Sequence, residues 1–438
     1  MNTEIPKDRI RWIGVRGLDP VGRVFEFEGR YFRAIRPERA DFVRGLFSKG
    51  IPQRLAERGL LIGAEEASVS VEGFAFVLAH PTVPFETRAH EWPRTLLRDA
   101  ARVWLELNLA LLPEGLGLID AHGANFGQVG ACRPVWLDFG SIAPLEKSNT
   151  GFAEFRAHFL NPLRLLYAKS ATGSIVRAAL RHGGIPDDAA AQLIPRTFRP
   201  AAAFAGWRAA RSSDRSVRRE HSLRDWLGML SDELPPPRTF WQSYQSGASL
   251  PPDYAALPAR KATFQRLLRE LKPRSVIDLA ANEGYFSFMA ARETGADTLA
   301  VDFDEGAADS LYRQARASNI AMNVTCACAD VFEPRRERTA PDLALAPALT
   351  HHLTLTQRFP WSAVAAAFAR NTTSALITEF MPHGLGVKKQ GQVPDWYRVE
   401  NFRDALSVHF DSVEIVDYPA DPAASPRTII LARGRRSI

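Results

Sequence analysis

The sequence predicts an α/β protein in two parts: an irregular N-terminal α+β domain, then a sheet of seven mostly parallel strands with helices on both faces. Three observations predict it. Beyond residue 235, short apolar runs alternate with helical periodicities, the order that builds a parallel sheet. The runs are apolar at consecutive positions, which suits strands covered on both faces. Leu234-Pro235-Pro236-Pro237 interrupts any helix that reaches it, so the boundary is placed there, giving domains 1–235 and 236–438.

In the first domain, Val24–Ile35 alternates around Gly29 and predicts a hairpin. Leu96–Ala110 predicts a long helix, and Leu116–Ile142 a loop-and-strand region dense in polar residues at set spacings. Arg208, Arg211, Arg215, Arg218, Arg219 and Arg224 make a basic stretch with no interleaved aromatics. It reads as a basic linker or solvated helix face near the end of the domain rather than a phosphate-binding stripe. A second break is Leu250-Pro251-Pro252-Asp253.

In the second domain, Lys261–Glu270 is an amphipathic helix and Ser275–Leu279 a short apolar strand. Tyr285–Arg292 is a helix, and Thr298–Val301 a strand ending in Asp302. Gly306–Ser318 is a helix with Leu311, Tyr312 and Ala315 on one face. Asn323–Ala327 is a strand running towards Asp330, and Leu343–Leu345 another. Ser362–Arg370 is a helix, Ala375–Thr378 a strand ending at Glu379, and Asn401–Val408 a helix. Val413–Val416 and Thr428–Leu431 follow each other without a helix, so the sheet closes on an antiparallel edge.

The chain has 438 residues, enough for two or three domains. At 46% hydrophobic and 24% charged residues it is globular, not disordered. No apolar run approaches the ~18 residues that span a bilayer, and the first residues carry no secretory pattern. Cys132, Cys326 and Cys328 are too few and too odd for a disulfide framework or a cysteine-built zinc site. A reducing cytoplasm is therefore expected. A net charge of +6 over this length does not imply a nucleic-acid partner, and no membrane partner is expected.

In an open α/β sheet, ligands bind at the carboxyl ends of the strands, near the point where strand order reverses. Asp278-Leu279-Ala280-Ala281-Asn282-Glu283-Gly284 links the first strand to its helix. Asp302 ends the second strand, where a carboxylate can accept from two ribose hydroxyls. Asp330 follows the third, where it can accept from an exocyclic amine. The loop lacks Gly-x-Gly-x-x-Gly, so a pyrophosphate would have poor access to the backbone, whereas a cofactor without phosphate demands less.

These residues resemble the class I S-adenosylmethionine-dependent methyltransferases, whose first loop reads Asp-x-Gly-x-Gly-x-Gly; here Asp278, Ala280, Asn282 and Gly284 stand at those positions. Within that class the chain is similar to the nodulation-associated subfamily. The similarity is carried by Ala348-Leu349-Thr350-His351-His352-Leu353, by Ile377-Thr378-Glu379-Phe380-Met381-Pro382 and by Ser425-Pro426-Arg427-Thr428. It covers residues from about Trp241 to the C-terminus. The resemblance implies a Rossmann-like methyltransferase domain that binds S-adenosyl-L-methionine through Asp278, Ala280, Asn282, Gly284, Asp302 and Asp330. Asp278 would hold the amino-acid end of the cofactor through its ammonium or through backbone. His351 and His352 follow the fourth strand. As neighbours they should point apart, a spacing that suits neither one shared atom nor a metal pair. One of them is either a base for a substrate hydroxyl or a hydrogen-bonding partner of the strand ends. Glu379 either contacts substrate or pairs with a cation. His351, His352 and Glu379 are the catalytic candidates.

In the first domain, Asp120-Ala121-His122-Gly123-Ala124-Asn125 precedes Pro134-Val135-Trp136-Leu137-Asp138-Phe139-Gly140. The spacing resembles kinases of the aminoglycoside-phosphotransferase type. The resemblance makes Asp120 a base, and Asn125 and Asp138 metal ligands on nucleotide phosphates. No glycine-rich phosphate loop precedes the hairpin. Arg33 stands where such kinases carry a strand lysine, and it cannot copy a lysine point charge. The nodulation-associated subfamily is similar here too, from Ala89-His90-Glu91-Trp92 to Phe139. A degenerate kinase-like domain with a truncated small lobe is expected, with no resident metal. The functional expectation is S-adenosylmethionine-dependent methyl transfer to a hydroxyl of a small molecule or glycan. The alternatives are a phosphotransferase with a regulatory nucleoside-binding domain, and a cofactor-binding scaffold without activity.

Overall fold

The structure, a computed structural model, describes residues 3–13, 19–147, 149–195, 215–237, 239–241, 257–318, 323–333, 340–385, 393–419 and 426–436. The chain divides into two compact units, Met1–Gln128 with Pro134–Pro235, and Val129–Arg133 with Pro236–Ile438. The passage at Pro235–Pro236 falls in the three-proline break. The grouping of Val129–Arg133 with the second unit has no signal in the sequence. Leu250–Asp253 lies outside the described residues.

The first unit holds a five-stranded antiparallel sheet in the order Arg11–Trp12, Gly22–Phe27, Arg30–Ile35, Phe76–His80, Glu65–Glu66. The expected hairpin is at its centre. Its two-residue turn places both Glu28 and Gly29 at positive φ (51° and 75°), the geometry that matches strand twist. Phe25 and Phe32 stack across it at 5.2 Å and are buried. The sheet is larger than the hairpin legible in the sequence. The outer strands were invisible because two of them are only two residues long. Arg94–Leu111 is the long helix, with Leu97, Ala101, Trp104 and Leu105 buried at helical spacing.

The basic stretch is not a linker from residue 215 onward. Arg215–Met229 is a helix of the first unit that packs on Arg94–Leu111 and buries Leu223. Arg219 donates to the Leu145 carbonyl at 2.8 Å. Arg208 and Arg211 lie outside the described residues.

In the second unit, the strands are β1 (Ser275–Asp278), β2 (Asp297–Asp302), β3 (Val324–Cys328), β4 (Leu343–Ala346), β5 (Ala375–Phe380), β6 (Phe410–Val416) and β7 (Thr428–Arg435). The helices are α1 (Ala259–Leu271), α2 (Tyr285–Thr294), α3 (Glu305–Ala317), α4 (Trp361–Arg370) and α5 (Val399–Ser407). They form one seven-stranded sheet in the order β3-β2-β1-β4-β5-β7-β6. β1 to β5 are parallel, and β7 runs antiparallel between β5 and β6.

Both faces of this sheet are covered, as its apolar strands require. Val276, Leu343, Leu345, Ala375, Ile377, Ile429 and Leu431 share a core with Phe264, Leu268, Phe286 and Met289 of α1 and α2. The alternate residues Ile277, Ala344, Leu376 and Ile430 are fully buried too, so the opposite face is also packed. Strand order reverses between β1 and β4, which places the carboxyl ends of β1 to β4 around one crevice.

Candidate functional site

A cavity of about 230 Å³ opens at that crevice. Its wall divides by sheet order. The ends of β1, β2 and β3 supply Ala280, Asn282, Asp302 and Asp330. The segment after β4, the end of β5 and the start of β7 supply His351, His352, Met381 and Arg427. Trp241 lines it from the segment before α1.

The β1 loop is built around two left-handed residues. Asn282 has φ 48° and Gly284 φ 92°, so the positive φ values fall on the two residue types that tolerate them and not on Ala280. Gly284 caps α2. A Cβ on it would sit 2.6 Å from the Phe288 ring and 2.9 Å from Leu311. Gly284 does not line the cavity. Its part is to let the chain turn tightly into the helix.

Asp278 is fully buried and is not in the cavity wall. The Ser287 hydroxyl donates to its Oδ2 at 2.8 Å, while Oδ1 is buried with no partner. Burial pushes its carboxyl up to about 7, with hydrogen bonds from Ser287 and the Ala280 backbone opposing that and the Asp302 charge adding to it. The Asn282 backbone donates to Asp302 Oδ2 and the Asp304 backbone to Oδ1, both at 2.8 Å. Each Asp302 oxygen keeps a second lone pair for a ligand. Burial raises the Asp302 carboxyl to about 6. Asn282 donates through Nδ2 to the Trp241 carbonyl at 3.2 Å, and its Oδ1 is buried without a partner. Asp330 is exposed and accepts from the Phe332 backbone at 2.8 Å.

His351 and His352 depart from expectation. Their rings lie side by side, 3.9 Å apart, and both line the cavity. Next to the pair, Ala348 adopts φ 51°, and a π-helical turn, His352–Thr356, starts at the second histidine. His352 meets the Trp241 ring edge-to-face at 4.8 Å. Burial, then the neighbouring His352 and Arg427, lower the His351 imidazole to about 3, so it is neutral and a poor base. Its Nδ1 is buried without a partner.

Glu379 does not line the cavity and pairs with cations, the second of its two expected readings. It is fully buried, and its carboxylate is gripped by Arg260 and by Arg427, whose Nη1 donates at 3.1 Å. A buried carboxylate needs such partners, and these two close it off from the cavity. Arg427 is a charged residue of the wall with no role expected from sequence, although its Ser-Pro-Arg-Thr segment carried part of the resemblance.

In the first unit, Asp120, Asn125 and Asp138 come together. Asn125 Nδ2 donates to Asp120 Oδ1 at 2.7 Å. Burial, followed by the Asp138 charge, pushes the Asp120 carboxyl up to about 7. Arg33 is buried and donates through Nη2 to Asp138 Oδ1 at 2.8 Å, and it also pairs with Asp19. The position of an expected metal ligand is therefore held by a guanidinium. Among the described residues, no group of three or more His, Cys, Asp or Glu side chains is arranged to hold a metal ion. Nor is any described helix long and apolar enough to cross a membrane.

No protein-family model matches the sequence. The chain is similar to the nodulation protein NoeA of Rhizobium meliloti (strain 1021), 26% identical over 409 residues, 83% of each chain. The resemblance to nodulation-associated proteins thus extends over most of both chains. Among solved structures, the bifunctional kinase-methyltransferase WbdD matches at 22% identity and a TM-score of 0.32, over 40% of this chain. That match spans only 39% of the WbdD chain. The N-terminal domain of EvdMO1 with SAH bound matches at 18% identity and a TM-score of 0.30, over 40% of this chain and 81% of that one.

Proposed function

We propose that the second unit binds S-adenosyl-L-methionine and transfers its methyl group to an acceptor oxygen. The observation that carries this reading is the cavity at the β1/β4 reversal, with Asn282, Asp302 and Asp330 following three adjacent strands. Each residue suits one part of the cofactor. The Asp302 lone pairs match two ribose hydroxyls, and Asp330 matches an exocyclic amine. The unpartnered Oδ1 of Asn282 suits an ammonium. Asp278 acts by holding the loop rather than by touching ligand. When bound, the cofactor supplies an electrophilic methyl group on a sulfonium. The protein's part is to align the acceptor at about 3–3.5 Å and to exclude water.

The first unit, on this reading, does not transfer phosphate. Arg33 neutralises Asp138, and positioning plus charge stabilisation supply nearly all of phosphoryl-transfer catalysis. Calorimetry with S-adenosylhomocysteine tests the cofactor site. Asp302→Ala should weaken binding by about 2–4 kcal/mol, as for charge-assisted hydrogen bonds lost from a buried site. Unchanged affinity removes Asp302 from the site.

A further inference from the structure

Charge is distributed unevenly around the cavity. The half made by β1 to β3 carries two carboxylates, Asp302 and Asp330. In the half made by β4, β5 and β7, Arg427 is the charged side chain among the described residues, beside the neutral His351. Arg427 has more charge than its partner absorbs. Glu379 receives both Arg260 and Arg427, so two guanidinium groups share one carboxylate. Lys261 is a further cation close enough to Arg260 for the two to repel. Among the described residues the cluster is net positive, and Arg427 is its member in the cavity wall. Only Nη1 of Arg427 is engaged by Glu379. Next to it, His351 Nδ1 is buried without a partner in the same wall.

We propose that this half of the cavity binds the acceptor through an oxyanion, a carboxylate or a phosphate, held by Arg427 and His351. The inference rests on the methyl transfer proposed above and replaces the neutral hydroxyl expected from sequence. Chemistry supports it as well as charge. A neutral hydroxyl must lose a proton as it is methylated, and among the described residues this half of the wall offers no adequate base. His351 and His352 are both lowered by burial, and Glu379 is closed off by its arginines. An oxygen that arrives ionised needs no base. Its lone pair forms the bond to the methyl carbon while the carbon–sulfur bond breaks, its electron pair returning to sulfur. An O-methyl ester and a neutral thioether result, and no proton moves. The acidic half then faces the cationic methyl donor, and the basic half faces the anionic acceptor.

The test is calorimetry on the full-length protein saturated with S-adenosylhomocysteine. Three probes share an aromatic body and differ in charge: phenyl phosphate, phenylacetate and 2-phenylethanol. At least one anion should bind about tenfold or more tighter than the alcohol, and the better anion identifies the acceptor class. Arg427→Met should abolish that preference and Arg427→Lys should keep part of it, with affinity for S-adenosylhomocysteine within about twofold of wild type. Equal binding of the alcohol by the wild type overturns the proposal and needs no variant. So does an anion preference that survives Arg427→Met. A loss of S-adenosylhomocysteine binding in that variant would assign Arg427 to the cofactor's own carboxylate instead. Failure of the wild type to bind S-adenosylhomocysteine at all would defeat the methyltransferase reading itself, a separate result.

Discussion

Asp120, Asp278 and Asp302 have carboxyl groups raised to about 7, about 7 and about 6, each chiefly because burial penalises the anion. A carboxyl whose folded pKa lies above its unfolded value of about 3.9 takes up a proton on folding. Its contribution to stability therefore falls as pH rises from about 4 through about 7. Asp120 also feels the like charges of Asp138 and Glu154. Asp120→Asn keeps an acceptor for Asn125 and removes that repulsion. At about pH 8 the variant should gain about 1–2 kcal/mol in urea unfolding, less than full linkage because Asp120 is partly solvated, and at about pH 5 roughly a third of that. Identical pH profiles would contradict the raised carboxyl. For Asp302 the same titration acts on binding. Below about pH 6 it protonates and loses acceptor capacity, so affinity for S-adenosylhomocysteine should decline from about pH 7 to pH 5. Titration calorimetry across that range reads it, and a flat profile would argue against an ionised Asp302 in the site.

The element that shapes the β1-to-β3 half of the cavity is the β1 loop, and its turn into α2 depends on Gly284. Gly284→Ala must place a Cβ at φ 92° and against Phe288 and Leu311. It should cost about 2–5 kcal/mol in chemical denaturation, from left-handed strain plus overpacking. A loss under about 1 kcal/mol would show that the turn relaxes freely. Elements of this unit were legible because most strands are short apolar runs that alternate regularly with helical periodicities. Strand ends place Asp302 and Asp330 by topology alone. The His351–His352 geometry was not legible, since a π-helical turn leaves no periodicity in five residues. Nor was the fate of Glu379, set by arginines 119 and 48 residues away in sequence. In the first unit, strands such as Arg11–Trp12 and Glu65–Glu66 are too short to show alternation, though their hairpin neighbour was plain.

Two compact units share one chain. The segment from Leu230 to Pro237 follows the Arg215–Met229 helix and contains three consecutive prolines. We expect limited trypsin digestion to cut first at Arg238 or within 196–214, leaving a stable fragment that starts at or before Thr239. A first cut within 259–418 would contradict that boundary. The first unit should show no ATP turnover with Mg²⁺ or Mn²⁺, and Asp138→Asn should leave methyl transfer intact if the unit still folds. Turnover abolished by both Asp120→Asn and Asp138→Asn would mean that the Arg33–Asp138 pair opens to admit a metal, and that the unit works as a kinase.

A methyl donor held at the β1/β4 reversal is the ligand proposed for this chain. Thermal unfolding of the full-length protein with S-adenosylhomocysteine, and separately with Mg-ATP, is the deciding measurement, because a ligand that binds only the folded state raises the midpoint. A concentration-dependent rise is expected with S-adenosylhomocysteine, removed by Asp302→Ala, and no rise with Mg-ATP. A rise with Mg-ATP alone would contradict that proposal.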